Sequence, residues 1–159
     1  MSMKLLTSYC VAGLFLLTGL LSGCDQKDDI DEIFCSGTWY VVDYYTNFNW
    51  SNLSKDAGVP VNGGKTDVLS VIQQFSLQFK DDGTFEGKIQ NGTYTGQWQA
   101  HPDDRSVSFR NVQASPMTGH NKEFIQFLKK STLYQGNSKL LHLTNSEKAK
   151  YLQLNHGQK

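Results

Sequence analysis

Apolar and polar side chains alternate along much of the chain after residue 70. In residues 73–80, Phe75, Leu77 and Phe79 share one face, and the positions between them are polar. A period of two with one polar side is typical of an antiparallel strand that is buried on one face only. The same alternation predicts three further strands, over 85–89, 93–100 and 105–112.

Turn motifs separate these strands. Residues 81–84 read Asp-Asp-Gly-Thr, and Asn-Gly at 91–92 is the strongest short signal for a hairpin. A strand rich in aromatic and β-branched residues is predicted at 37–46. Three short strands are predicted at the end of the chain: 131–135, 139–144 and 148–155. These eight antiparallel strands in meander order would best avoid open edges by closing into a barrel.

One short helix is predicted before the last three strands. Asn121 would cap its start, and basic residues at 129–130 suit its last turn. Phe124 and Leu128 lie on one apolar stripe, which we expect to pack on the core and close one end of the sheet. The alternative is that this stripe binds a membrane.

Large rings dominate the predicted interior. The inward-facing set contains seven aromatic residues: Trp39, Phe75, Phe79, Phe85, Tyr94, Trp98 and Phe109. An eight-stranded barrel has room either for such side chains or for one small ligand. The rings could therefore form a solid core, or Tyr94 and Trp98 could contact an apolar or sugar ligand in a barrel mouth. Gly96 lies between these two residues, where it would allow a bend or make room for a neighbouring ring.

The first strand and the loop after it hold further candidates for binding. Asp43 shares a face with Trp39, Val41 and Tyr45 if the strand is regular, which would place a carboxylate inside the barrel or at its rim. Four aromatic residues follow at the entry to the loop 47–69: Tyr44, Tyr45, Phe48 and Trp50. Exposed, they would suit stacking on a glycan or contact with a partner protein. The alternative is a loop folded over the barrel mouth.

The N-terminal segment is a targeting signal by its layout. A basic start at Lys4 precedes an apolar run over residues 5–21, which is short for a membrane span. Leu21-Ser22-Gly23-Cys24 resembles the lipobox of bacterial lipoproteins. That resemblance implies that the signal peptide, residues 1–23, is removed and that Cys24 carries acyl chains that anchor the protein to a membrane.

An acidic run follows the lipobox cysteine. Residues 25–32 carry a net charge of −4, so we expect an extended, solvated tether over residues 24–34. Within this run, Lys27-Asp28-Asp29 resembles the lipoprotein export signal of Bacteroidota, which implies exposure at the surface of the outer membrane. Asp25 directly after the cysteine is the alternative signal, which would favour retention in the inner membrane.

Composition and motifs exclude several classes of function. The 15 basic and 15 acidic residues balance, unlike in a nucleic-acid-binding protein. The four histidines show no metal-binding spacing, and no motif for a cofactor or a catalytic nucleophile is present, so we predict a non-enzymatic protein without metal. Cys35 remains as a thiol in the predicted domain at 35–159, either buried or available for reaction or intermolecular pairing.

The strand sequences also carry a family resemblance. Gly37-Thr38-Trp39 resembles the Gly-x-Trp signature of lipocalins, and residues 79–87 with 94–98 are similar to lipocalin-like lipoproteins of Bacteroidota, a family of unassigned function. The resemblance implies an eight-stranded lipocalin-like barrel in which Trp39 plugs the closed end. In lipocalins an arginine near the C-terminus stacks on this tryptophan, and only Lys148 and Lys150 lie near the last strand here.

Two hypotheses about function follow. The first is a cell-surface lipoprotein that binds a small apolar or carbohydrate ligand in a concave aromatic pocket. The second is an accessory or inhibitor subunit of a surface protein complex, with a filled barrel and an aromatic patch on its outside formed by residues 44–69.

Overall fold

Nine antiparallel strands form a single sheet in the computed structural model, which describes residues 28–157. The strands are β1 (Thr38–Thr46), β2 (Val59–Pro60), β3 (Ser76–Phe79), β4 (Thr84–Ile89), β5 (Gly92–His101), β6 (Ser106–Ser115), β7 (Leu133–Gly136), β8 (Leu140–Thr144) and β9 (Tyr151–Asn155). The helices are α1 (Ile30–Phe34), α2 (Thr66–Ile72) and α3 (Gly119–Lys130), with a 3₁₀ turn at Trp50–Asn52. The predicted signal peptide, Cys24 and Lys27 lie outside the described residues.

The sheet closes on itself because β1 pairs with β3 on one side and with β9 on the other. Eight strands make the ring, and the two-residue β2 adds to the end of β1. The prediction of a mainly antiparallel β protein is confirmed, and the predicted helix is present as α3, followed by β7, β8 and β9. The number of strands is nine rather than eight because β2 lies within the segment predicted to be a loop.

Two helices occur where none was predicted. Helix α1 lies in the acidic run, so the expectation of an extended chain is wrong for residues 30–34. The Asp29 carboxylate accepts a hydrogen bond from the Glu32 amide at 3.0 Å and caps this helix. Helix α2 begins in the last four residues of the predicted loop 47–69 and leads into β3, with Ile72 buried.

Helix α1 covers one end of the ring. Its Phe34 is fully buried and stacks on Trp98, with ring centroids 4.9 Å apart. The same ring meets Tyr134 edge-on at 5.0 Å. The Phe34 carbonyl also accepts a hydrogen bond from Trp39 Nε1 at 3.0 Å. The acidic segment is therefore part of the folded domain from its first buried residue onward.

Helix α3 lies between β6 and β7 and packs its apolar side inward, as predicted. Phe124 contacts Phe75 and Tyr94 at centroid distances of 5.4 and 5.5 Å. Only one residue pair, Ser106 with Leu133, joins β6 to β7, and α3 packs against β6 beside this short pairing. Asn121 is not the N-cap of the helix, because Thr118 holds that position.

The buried Asn121 side chain has a different role, since it fixes α3 to the β4–β5 turn. Its amide donates to the carbonyls of Gln90 and Pro116 at 2.9 and 3.0 Å, and its oxygen accepts from the Gln90 amide at 3.0 Å. Three bonds from one buried amide satisfy most of its hydrogen-bonding capacity and leave little freedom for the helix to shift.

Two glycines make room for rings in the interior. A Cβ at Gly87 would lie 2.0 Å from the Ser76 carbonyl oxygen and 2.5 Å from the Tyr94 ring, and a Cβ at Gly96 would lie 2.5 Å from Phe85. The prediction that Gly96 makes room for a neighbouring ring is confirmed. The Tyr94 ring lies beside Gly87, and its hydroxyl donates to the Ser76 carbonyl at 2.7 Å.

Within residues 28–157, none of the helices combines the length and apolar character needed to cross a bilayer.

Candidate functional site

The interior of the ring is filled with aromatic side chains. A continuous series of ring contacts, with centroids 4.9 to 6.1 Å apart, runs from helix α1 to helix α3. Its members are Phe34, Phe79, Phe109, Phe85, Tyr94 and Phe124. None of these six is more than 7% exposed. Six of the seven rings predicted to face inward contact members of this series or belong to it; the seventh, Trp39, is also buried.

Tyr94 and Trp98, predicted as ligand contacts, both belong to this packed interior. The Trp98 ring meets Phe34 and Phe79, and its Nε1 donates to the Lys80 carbonyl at 3.0 Å. Trp98 is partly exposed at the α1 end, whereas burial raises the pKa of Tyr94 well above its usual range. Both polar groups are used in bonds to the backbone.

Trp39 is fully buried at the same end of the ring, where the structure pairs it with a residue that the sequence did not single out. The His156 ring lies 4.0 Å from the Trp39 ring, at a tilt of 31°. Neither Lys148 nor Lys150 takes this place. His156 Nδ1 lies 2.9 Å from the Thr38 carbonyl, which can only accept, so Nδ1 carries a proton. Its Nε2 lies 2.9 Å from Ser36 Oγ.

A β-bulge changes the side of the sheet on which Asp43 lies. The register between β1 and β9 shifts between Val41 and Asp43, so Asp43 pairs with Gln153 and Tyr44 pairs with the buried Leu152. The expectation that Asp43 shares a face with Trp39 and Val41 is wrong, because the extra residue reverses the alternation.

The Asp43 carboxylate holds the loop after β1 in place. It accepts hydrogen bonds from the Tyr44 amide at 2.7 Å, from the Asn62 side chain at 2.8 Å and from the Asn62 amide at 3.1 Å. The residue is 4% exposed. Three N–H donors satisfy this buried carboxylate. The two from Asn62 join the loop to β1, and we call this pair of bonds the Asp43 clamp.

Tyr44 turns inward because of the same bulge. Its ring meets Phe127 of α3 edge-on at 5.2 Å. Lys150 Nζ lies over the face of the Tyr44 ring, 5.4 Å from its centroid. Burial raises the pKa of Tyr44 well above its usual range. Tyr44 is therefore a core residue and not an exposed contact.

The other loop aromatics gather on the outside of the ring around Tyr151 of β9. Tyr45 stacks on Tyr151 at 5.0 Å with the planes 7° apart, Phe48 meets it edge-on at 4.7 Å, and Trp50 lies 6.3 Å away. The loop covers the outer wall of the ring and not a mouth. Tyr151 is fully buried, and its hydroxyl donates to the Ala57 carbonyl at 2.7 Å.

Tyr45, Phe48 and Trp50 remain half-buried, and we call them, with Val59, the outer aromatic surface. Val59 is 56% exposed and pairs with Thr46 beside Tyr45. A depression of about 410 Å³ adjoins this surface and includes Leu53 and Gln135. Apolar groups thus remain accessible on the outer wall after the loop has folded.

Two larger depressions open on the outer face of the sheet, on either side of Tyr40. One measures about 850 Å³ and the other about 660 Å³, and Thr38 and Tyr40 line both. Tyr40 points away from the interior because it alternates with the buried Trp39 and Val41.

Asp28 of the predicted export signal is bonded to the folded domain. Its carboxylate lies 2.9 Å from Arg105 Nε and 3.3 Å from Arg105 Nη2, and the Tyr134 hydroxyl donates to it at 3.2 Å. The Asp28 side chain is only 16% exposed. Asp29, the next residue, caps α1, so both described acids of the motif have structural contacts.

The described residues offer limited reactive chemistry. Between residues 28 and 157, no three His, Cys, Asp or Glu side chains are grouped as a metal site requires. Cys35 is half-buried at the end of α1. Burial and the nearby charges of Asp31 and Asp81 raise the pKa of its thiol, which lowers its reactivity.

Comparisons with known proteins identify relatives. The family described as Domain of unknown function (DUF4847) matches residues 25–156. The crystal structure of a member of this family from Bacteroides vulgatus ATCC 8482 is 40% identical, with a TM-score of 0.74, and the match covers 82% of this chain and 99% of that one. An NMR structure of a protein from Burkholderia xenovorans matches at 12% identity, with a TM-score of 0.49, over 78% of this chain and 83% of its own. No curated protein matches the chain.

Proposed function

This chain belongs to the DUF4847 family, and we propose from its structure that it is an interaction subunit of the cell envelope. In this proposal the acylated Cys24 anchors the chain to the outer membrane, and Lys27, Asp28 and Asp29 direct it to the cell surface. The ring is a lipocalin-like barrel that binds a partner protein on its outside instead of a ligand within.

The filled interior is the observation that carries the proposal. The rings between α1 and α3 contact one another without interruption, so an apolar ligand would have to displace side chains that already bury their surface. A carrier of small molecules needs a preformed cavity of several hundred Å³. The packing therefore favours binding at the outer wall of the ring over binding in its interior.

The chemistry of the outer aromatic surface suits a protein partner. Tyr and Trp are enriched among the residues that contribute most to protein interfaces, because their rings bury a large area and lose little side-chain entropy. Tyr45 and Trp50 pack against Tyr151 and keep part of their surface accessible to solvent. The Asp43 clamp on Asn62 further restricts the loop before any partner binds.

Photo-crosslinking in the native membrane tests this proposal. A benzophenone amino acid at Val59, in the full lipidated chain, should give a discrete protein adduct, and the same group at Thr93 on the opposite side of β1 should not. Trp50→Ala should weaken the adducted partner's affinity about ten-fold or more, measured with both purified proteins. Cys24→Ala should remove the adduct by releasing the chain from the membrane.

Two results would contradict the proposal. One is equal crosslinking at Val59 and Thr93, or an adduct that Trp50→Ala leaves unchanged. The other is a small molecule retained in the folded chain, beyond its own acyl groups, when the protein is extracted from its membrane and weighed by native mass spectrometry. The second result would identify the protein as a carrier that binds a small molecule inside the ring.

A further inference from the structure

Two adjoining depressions form a continuous groove on the outer face of β1, β3, β4 and β5, with Tyr40 at its centre. They share Thr38 and Tyr40 and together measure roughly 1,500 Å³, which is larger than a usual small-molecule pocket. The groove contains none of the residues of the outer aromatic surface, so its use is independent of the proposed partner site.

Hydroxyl and amide groups dominate the wall of the larger depression. Ser36, Thr38, Gln73 and Asn155 line it, and its lining includes no Asp, Glu, Lys or Arg among the described residues. Gln73 is partly oriented, because its Nε2 donates to the Val42 carbonyl at 3.3 Å and its oxygen remains available to accept. Such a wall offers hydrogen bonds of both senses without net charge.

The smaller depression continues this chemistry on the other side of Tyr40. Gln74, Gln78 and Thr95 line it, together with one acid, Glu86, and one base, Lys88. Glu86 also pairs with Lys80, which lies outside the lining, at 2.9 Å from Nζ. The side chains that line the groove therefore carry no excess of acidic or basic groups.

Tyr40 provides an aromatic platform in the middle of the groove. It is 37% exposed, one of the most exposed large apolar side chains of the described domain. The backbone of Gly157 approaches its ring, since a Cβ built there would lie 3.0 Å from Tyr40 Cδ2. An aromatic ring that is supported at one edge and accessible elsewhere can pack against the C–H face of a sugar ring.

We propose that this groove binds a neutral oligosaccharide chain, with one sugar unit stacked on Tyr40 and its neighbours bonded to the hydroxyl and amide side chains on either side. A sugar chain fits because it presents many hydroxyl donors and acceptors, no charge and an apolar face. A protein segment fits less well, because Tyr40 and the partly buried Val42 are the main apolar side chains accessible along the groove.

Affinity electrophoresis with the full lipidated chain in detergent tests the proposal. The native gels contain one polysaccharide each: amylopectin, galactomannan, xylan or mixed-linkage β-glucan as neutral probes, and alginate as an acidic probe. We expect at least one neutral polysaccharide to retard the chain. Tyr40→Ala should weaken that binding about ten-fold, and Tyr40→Trp should retain it.

Met117→Ala is the control, because it removes another large side chain, 39% exposed, that lines neither depression, and it should leave the retardation unchanged. Thermal melts of each variant confirm that the fold is intact. Migration unaffected by all four neutral probes would overturn the proposal, as would equal retardation of wild type and Tyr40→Ala. Retardation by alginate alone would overturn it too, since it would indicate binding by surface lysines.

Discussion

Aromatic residues build two clusters in this protein, one inside the ring and one on its outer wall, and they differ in exposure far more than in geometry. Ring centroids lie 4.9 to 6.1 Å apart from Phe34 through Tyr94 to Phe124, and 4.7 to 6.3 Å apart around Tyr151. The inner rings are buried, whereas Tyr45, Phe48 and Trp50 keep part of their surface in water. Contact geometry alone thus does not distinguish a core from a binding surface.

The difference in exposure shows which aromatic side chains still have surface available for contact with another molecule. Every face of an inner ring is covered, so each contributes its whole burial to stability. Around Tyr151 only the central ring is covered, and the three that surround it have area left for another molecule. Variants in the two clusters should separate stability from binding.

The largest effect is expected from Phe124→Ala in the inner cluster. The change removes a fully buried ring between Phe75 and Tyr94 and should lower the free energy of unfolding by about 3–5 kcal/mol, measured by chemical denaturation. It should also create an apolar cavity that binds benzene, which wild type should not bind. Gln126→Ala, on the exposed side of the same helix, is the control, and benzene binding by wild type would contradict the filled interior.

A smaller effect is expected from Phe48→Ala in the outer cluster. The ring is half-exposed and its main contact is Tyr151, so the free energy of unfolding should fall by about 1 kcal/mol. Partner binding should suffer more than folding, which a comparison of denaturation and affinity would show. A loss of stability as large as that of Phe124→Ala would mean that the two clusters are energetically alike.

The smallest effect concerns pH and His142, whose ring meets Tyr151 edge-on at 5.1 Å. Burial lowers the pKa of His142 below its usual 6.5, against the opposing effect of the bond to Gln153. His142 therefore binds a proton more readily in the unfolded chain than in the folded one. As the pH falls below about 6.5, this proton stabilises the unfolded chain, and the free energy of unfolding decreases. Denaturation midpoints at pH 7.5 and 5.5 should differ less for His142→Gln than for wild type. An equal difference would show that folding does not lower the pKa of His142.

The regular strands could be predicted because alternation and turn chemistry act locally. Phe75, Leu77 and Phe79 face inward as their period of two requires, and Asn-Gly at 91–92 lies at the β4–β5 turn. Helix α3 was also predictable from its apolar stripe. In each case a few neighbouring residues determine the structure.

Features that depend on distant residues were missed. The bulge after Val41 leaves no clear trace in the strand sequence, yet it exchanges the sides of Asp43 and Tyr44. His156 stacks on a tryptophan more than a hundred positions earlier in the chain. Tyr151 became the centre of the outer cluster only through packing of the 47–58 loop.

Helix α1 is an intermediate case, because a local signal existed. Asp29 followed three residues later by Glu32 is a capping pattern, and Ile33 and Phe34 supply the buried side. The net charge of the run outweighed this signal in the prediction of an extended tether. Five residues suffice for a helix here because the ring provides a surface on which Phe34 is buried.

The bonds of Asp28 to Arg105 and Tyr134 determine how far the domain can range from its attachment point. If Cys24 carries the lipid, three residues separate it from Asp28, the first residue bonded to the domain, and not the nine or so of the predicted acidic tether. Four Cα steps span about 15 Å, roughly half the reach of the longer tether. The volume that the domain can reach falls to about one eighth, which raises its effective concentration for neighbouring proteins in the same membrane. Partners that lie more than about 15 Å farther from the membrane are then out of reach.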